Sequence, residues 1–90
     1  MSDQAQQRGF SFPGVFELAA MGATDAGLEH RVPAVIEALG LKVFRDRLSV
    51  RPSSRGNYLS VRVAFEAQSR DDYDAAHGAL RALPEVKWTL

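Results

Sequence analysis

Residues 58–68 alternate between apolar and polar positions more regularly than any other stretch of the chain. Leu59, Val61, Val63, Phe65 and Ala67 fall on one side, and Ser60, Arg62, Ala64 and Glu66 on the other. A period of two predicts a strand with one buried face. The same alternation sets Phe16, Leu18 and Ala20 against Val15, Glu17 and Ala19 over residues 15–21, where Gly22 is expected to end the strand. Leu48 and Val50 alternate with Ser49 and Arg51, and Val86, Trp88 and Leu90 with Lys87 and Thr89, predicting two shorter strands. Between them the period changes to that of a helix. Leu28, Val32, Val35, Ile36 and Leu39 form one apolar stripe, with Thr24 or Asp25 as a cap and Gly40 as the stop. Pro33 lies inside this stripe and cannot donate to the Glu29 carbonyl, so a kink or a restart is expected there. Ser69 with Asp72 resembles a capping box ahead of a second stripe of Tyr73, Ala76, His77, Leu80 and Leu83, which Pro84 ends.

The order is βαββαβ. Crossovers of this kind are right-handed, which places both helices on one sheet face. The expected fold is α+β: a ferredoxin-like sandwich of four antiparallel strands, with the first and third strands central. Residues 12–90 form this single domain and residues 1–11 a flexible tail, with Phe10 and Phe12 marking where the chain first meets the body.

Composition narrows the function more than the fold. The 90 residues are 46% hydrophobic and 24% charged, enough for a packed core. Eleven basic residues balance eleven acidic ones. Zero net charge argues against a general nucleic-acid binder, which needs surplus cations to displace counterions, and against a polybasic membrane module. There is no cysteine, hence no disulfide, thiolate metal site or cysteine nucleophile. The polar start at Met1–Gln7 and the lack of a long apolar run predict a soluble, cytoplasmic protein.

With the helices covering Phe16, Leu18, Val50, Val61, Val63 and Phe65, the bare face is expected to carry Glu17, Ala19, Ser49, Arg51, Ser60, Arg62, Ala64, Glu66, Lys87 and Thr89. RNA-binding sheets of this shape stack bases on aromatic rings of the two central strands. Here those positions hold Glu17, Ala19, Arg62 and Ala64, so a solvated face with cross-strand Arg–Glu pairs is the simpler reading. His30 and His77 have no partner at ligand spacing, His30 reading as a solvated helix residue and His77 as a boundary residue with a satisfied ring. No nucleophile elbow or triad is present. Neither a cofactor nor a metal is expected.

Two segments carry more than patterning. In Arg51-Pro52-Ser53-Ser54-Arg55-Gly56-Asn57-Tyr58, the Pro, Ser, Gly and Asn suit a hairpin turn, with Gly56 and Asn57 tolerating positive φ. Turn chemistry alone accounts for those types. Recognition is the second reading: Arg51 and Arg55 with Ser53 and Ser54 suit an anion, and Tyr58 suits a protein partner as an aromatic anchor. In the loop Met21–Leu28, backbone amides at the helix start could hold a carboxylate, with Gly27 allowing close approach; capping by Thr24 or Asp25 is the plainer account.

FPGVFELAAMG at Phe12–Gly22, RPSSRGNYLSV at Arg51–Val61 and the closing VKWTL resemble the YbeD-like family of small bacterial proteins of unknown function. Its signature falls here on Phe12, Pro13, Met21, Gly22, Pro52, Ser53, Ser54, Arg55, Gly56, Asn57 and Tyr58. Ala19 stands where the family has a lysine, and Pro33 where it has apolar, β-branched residues. The resemblance implies a ferredoxin-like fold similar to ACT regulatory domains, and an accessory link to lipoate biosynthesis. It also makes the loop at Gly22, Thr24, Asp25 and Gly27 look like a degenerate form of the ACT ligand loop.

The leading expectation is a non-enzymatic interaction or regulatory protein that binds a partner protein through Arg51, Ser53, Ser54, Arg55, Gly56, Asn57 and Tyr58. The alternative is an ACT-type sensor of an amino acid or related carboxylate at residues 22–28. A homodimer through the edge strands fits either, unless Arg47 and Lys87 are charges that guard those edges. An enzyme ranks last: Arg51, Arg55 and Asn57 match the residue types of acyl phosphatases but sit on a different element.

Overall fold

The computed structural model describes residues 11–89. The predicted tail at residues 1–10, the contact of Phe10 and the closing Leu90 lie outside them. The chain runs β1 (Gly14–Ala23), a 3-10 turn (Thr24–Ala26), α1 (Leu28–Glu37), a second 3-10 turn (Arg45–Arg47), β2 (Ser49–Pro52), β3 (Tyr58–Ala67), α2 (Arg70–Ala82) and β4 (Val86–Thr89). The strands form one antiparallel sheet in the order β2-β3-β1-β4. This is the ferredoxin-like arrangement that the alternation predicts, with β1 and β3 central.

β1 and β3 pair along their full lengths, from Gly14 opposite Ala67 to Ala23 opposite Tyr58. On the helix side the period-two apolar set is buried: Leu18 and Ala20 from β1, and Leu59, Val61, Val63, Phe65 and Ala67 from β3. Leu28, Val32 and Ile36 of α1 and Ala76 and Leu80 of α2 close the core over them. Phe12 joins this body, its ring 5.1 Å from that of Phe16, which in turn meets Tyr73 edge-on at 5.4 Å.

α2 starts as predicted. Ser69 Oγ accepts from the Asp72 amide at 3.4 Å, and the Asp72 carboxylate accepts from the Gln68 amide at 2.9 Å. Ser69→Ala should cost about 1 kcal/mol, the usual value of an N-cap, read as a lower urea midpoint with an unchanged m-value.

Four expectations need correction. Gly22 does not end the first strand: β1 runs through it to Ala23. Neither Thr24 nor Asp25 caps α1. The cap position is Gly27, at φ +74°, with no side-chain bond; its carbonyl accepts from the His30 and Arg31 amides. The break before α1 therefore falls at a left-handed glycine, and α1 continues through Pro33, whose buried ring packs in the core while Glu29 forgoes a donor. Leu39 lies past the end of α1 and Val50 on the rim of the sheet; each is 44% exposed. Val50 does share the helix side with its partner Val61, but the helices do not reach over the outer strand β2.

The fourth correction bears on function. Ala20 pairs with Thr89 and Met21 with Trp88, but Gly22 pairs with Val86, leaving Lys87 as an extra residue in β4. A bulge of one residue reverses which face the side chains take. Val86 therefore packs against the core, while Trp88 turns to the bare face beside Met21. Thr89 goes to the helix side, where its hydroxyl lies 3.1 Å from His77 Nε2. The expected bare-face position of Thr89 and core position of Trp88 are exchanged.

Candidate functional site

The hairpin between β2 and β3 is held by its own residues. The Ser53 amide donates to the Tyr58 carbonyl at 2.8 Å, and Ser53 Oγ accepts from the Tyr58 amide at 3.1 Å. Within the loop the Gly56 amide donates to the Ser53 carbonyl at 2.9 Å. Gly56 has φ +76°, as the turn reading requires; Asn57 does not share the left-handed conformation.

A second tie comes from 32 residues upstream. The Thr24 amide donates to the Asn57 carbonyl at 3.1 Å, and the Thr24 hydroxyl donates to the Gly56 carbonyl. The two segments singled out in the sequence are thus one place in the fold. Thr24 clamps the tip of the hairpin to the end of β1, and this is its role in place of capping α1.

Apart from the Ser53 and Thr24 hydroxyls these bonds use the backbone, and the other hairpin side chains take no part in them. Arg51, Ser54, Arg55, Asn57 and Tyr58 are all exposed. Tyr58 begins β3 on the bare face, and its ring meets that of Trp88 edge-on at 5.7 Å. They are 39% and 53% exposed, so two large rings stand together at one end of a bare face whose middle carries none. Beside them Met21, Arg51, Pro52, Ser53, Tyr58, Leu59 and Ser60 line an open depression of about 130 Å³. The period-two reading missed Trp88 because the bulge at Lys87 leaves no trace in the alternation of Val86, Trp88 and Leu90. A double-mutant cycle of Tyr58→Leu and Trp88→Leu should give about 1 kcal/mol of coupling in urea unfolding, as aromatic pairs do.

The middle of the bare face carries the expected Arg–Glu pairs, but it is not solvated throughout: Ala19 and Ala64, expected to be exposed there, are 3% and 1% exposed, small side chains flanked by longer ones. Glu17 carries a carboxylate within 3.4 Å of Arg47 and 3.6 Å of Arg62. Elsewhere Arg45 binds Glu37 through two hydrogen bonds of 2.8 and 2.9 Å, which hold the Glu37 carboxyl below its ordinary value.

The residues of the loop reading do not converge. Gly22 is buried, and a Cβ there would lie 2.3 Å from the Glu85 carbonyl oxygen and 2.8 Å from Leu28 Cδ1, so nothing can approach it. Thr24 is committed to the hairpin. Asp25 is exposed, and Gly27 has open space where a Cβ would stand. Among the described residues no three His, Asp or Glu side chains gather as a metal site, and no helix is long and apolar enough to cross a membrane.

The fold and sequence have known counterparts. The solution structure of protein HP0495 from H. pylori is similar at a TM-score of 0.73 and 15% identity, over 90% of this chain and 85% of that one. The ACT domain of GTP pyrophosphokinase from Chlorobium tepidum matches at a TM-score of 0.67 and 10% identity, over 84% and 94%. At such identities the likeness is one of fold. Sequence relatives are nearer. A UPF0250 protein of Stenotrophomonas maltophilia is 56% identical over 82 residues, 91% of this chain and 89% of that protein. A UPF0250 protein of Xanthomonas oryzae pv. oryzae is 49% identical over 90 residues, 100% of this chain and 98% of that protein. The family model described as "Protein of unknown function (DUF493)" matches residues 7–90. The chain therefore belongs to this family, the YbeD-like group its motifs resemble.

Proposed function

We propose that this chain is a non-enzymatic interaction protein that recognises a partner protein through the Arg51–Tyr58 hairpin and the adjoining end of the bare sheet face. One observation carries the reading: the hairpin backbone is fixed by Ser53 and Thr24, while Arg55, Asn57 and Tyr58 are exposed and the Tyr58 ring meets Trp88. A fixed loop that presents an arginine next to two aromatic rings of the sheet end loses little entropy on binding and offers the side-chain types that dominate protein interfaces. An accessory role near lipoate metabolism belongs to this same reading. The ligand-loop alternative has a weaker frame, since Gly22 is closed and Thr24 already engaged.

The test is affinity capture from a lysate of the organism that encodes the protein, comparing the wild type with Arg55→Ala/Asn57→Ala/Tyr58→Ala. The three side chains are exposed, so the variant should keep its circular dichroism spectrum and most of its stability. A protein retained by the wild type should be lost by the variant. Equal retention by both would remove the hairpin from the contact.

A further inference from the structure

Building on the interaction reading, we infer that the partner contributes an extended acidic segment, seated on the bare sheet face with a carboxylate between Arg51 and Arg62 and an apolar side chain in the depression beside Tyr58. The first support is the pattern of charge pairing. Arg31, Arg45, Arg47, Arg62 and Arg70 each have a carboxylate within 4 Å. Among the described residues Arg51, Arg55 and Arg81 have none, and of these three Arg51 alone lies in a sheet strand, on the bare face opposite Ser60. An unpaired guanidinium on a sheet face is available for an anion, and its planar fork suits a carboxylate.

The second support is register. Ser49 pairs with Arg62 and Arg51 with Ser60, so two arginines and two hydroxyls alternate around one quartet on the same face. They line an open cavity of about 140 Å³. Arg62 also faces Glu17 at 3.6 Å, but a guanidinium has five donors and keeps several for a second acceptor.

The third support is adjacency. The apolar depression formed by Met21, Pro52, Tyr58 and Leu59 shares Arg51 and Ser60 with this quartet. A cationic half and an apolar half thus lie side by side. In an extended segment, side chains two positions apart point the same way at about 6.5–7 Å spacing. An acidic residue followed two positions later by an apolar one presents that pair of groups. A nucleic-acid backbone fits less well: Glu17 stands on the same face, and a run of phosphates would meet it.

The experiment is a titration of the ¹⁵N-labelled full chain, followed by amide shifts, with capped peptides centred on Glu-Ser-Phe, Lys-Ser-Phe and Glu-Ser-Ser. Glu-Ser-Phe should move Met21, Arg51, Ser60 and Arg62 and weaken as salt is raised. Lys-Ser-Phe should leave them in place, and Glu-Ser-Ser should bind more weakly. Arg51→Glu, an exposed substitution whose spectrum reports its own folding, should weaken Glu-Ser-Phe by about tenfold or more, the loss of one charge-assisted contact. Equal shifts with the lysine peptide, no shift at these residues at millimolar peptide, or unchanged binding to Arg51→Glu would overturn the inference. Failure of the peptides while hairpin-dependent capture persists removes this surface and leaves the interaction reading intact. Peptide binding as described without any hairpin-dependent capture keeps the surface and removes the hairpin as the partner's contact.

Discussion

Phe65→Ala should cost about 3–5 kcal/mol and leave the domain close to unfolding at ordinary temperature. The ring projects from β3 into the core with no exposed surface, 6.4 Å from the Phe16 ring and 6.3 Å from that of Tyr73. Truncation loses the transfer free energy of the ring and opens a cavity that β1, β3 and α2 cannot all close together. Domains of this size hold about 5–15 kcal/mol in total, so a loss of this size moves the urea midpoint sharply downward. Phe65→Leu keeps more of the volume and should cost clearly less. If both variants unfold at the wild-type midpoint, the core is not where β3 places it.

Gly22→Ala is the second large effect, and it reaches the candidate site. The added methyl would sit 2.3 Å from the Glu85 carbonyl oxygen. That oxygen belongs to the backbone entering β4, so it cannot step aside as a flexible side chain would. Overpacking of this kind costs about 1–3 kcal/mol, here at the upper end. Relief should come by moving β4 off β1, since β4 is a short outer strand while the β1–β3 pairing extends over ten residues. The Trp88 ring should then leave Tyr58. Urea unfolding would read the stability loss, and Trp88 fluorescence its changed surroundings. Wild-type stability together with unchanged fluorescence would contradict the close approach of β4 at Gly22.

The contrast between β3 and β4 explains how far the sequence could be read. On β3, ten residues alternate without interruption, so Leu59 to Ala67 are assigned to the core by period alone. On β4, one extra residue at Lys87 reverses the facing of Trp88 relative to Val86. A bulge is a property of two strands together, and a four-residue stretch of alternation carries no mark of it. The strand-like pairing of residues 42–44 leaves no mark in the sequence for a related reason. Lys42 and Phe44 bond to Glu66 and Ala64, and Val43 bridges Phe65, a pairing too short to show a period.

The candidate site divides in the same way. Gly56 and Ser53 announce a turn, because one must adopt positive φ and the other bonds its own loop. The Thr24 clamp could not be foreseen from either segment, since a threonine before a helix is accounted for by capping. Only the full pairing of β1 with β3, which ends at Ala23 opposite Tyr58, brings Thr24 to the hairpin. Arg51, Ser54 and Arg55 were recognisable as residue types, whereas the quartet with Arg62 exists only through the β2–β3 register.

The most direct measurement of the central claim is photo-crosslinking in living cells of the organism that encodes the protein. A benzophenone amino acid would replace Arg55 at the hairpin tip in one variant and Ala75, exposed on α2, in another. The account predicts a discrete crosslinked partner from position 55 that Tyr58→Ala diminishes, and none from position 75. The same partner from both positions, or a partner from position 75 alone, would contradict it.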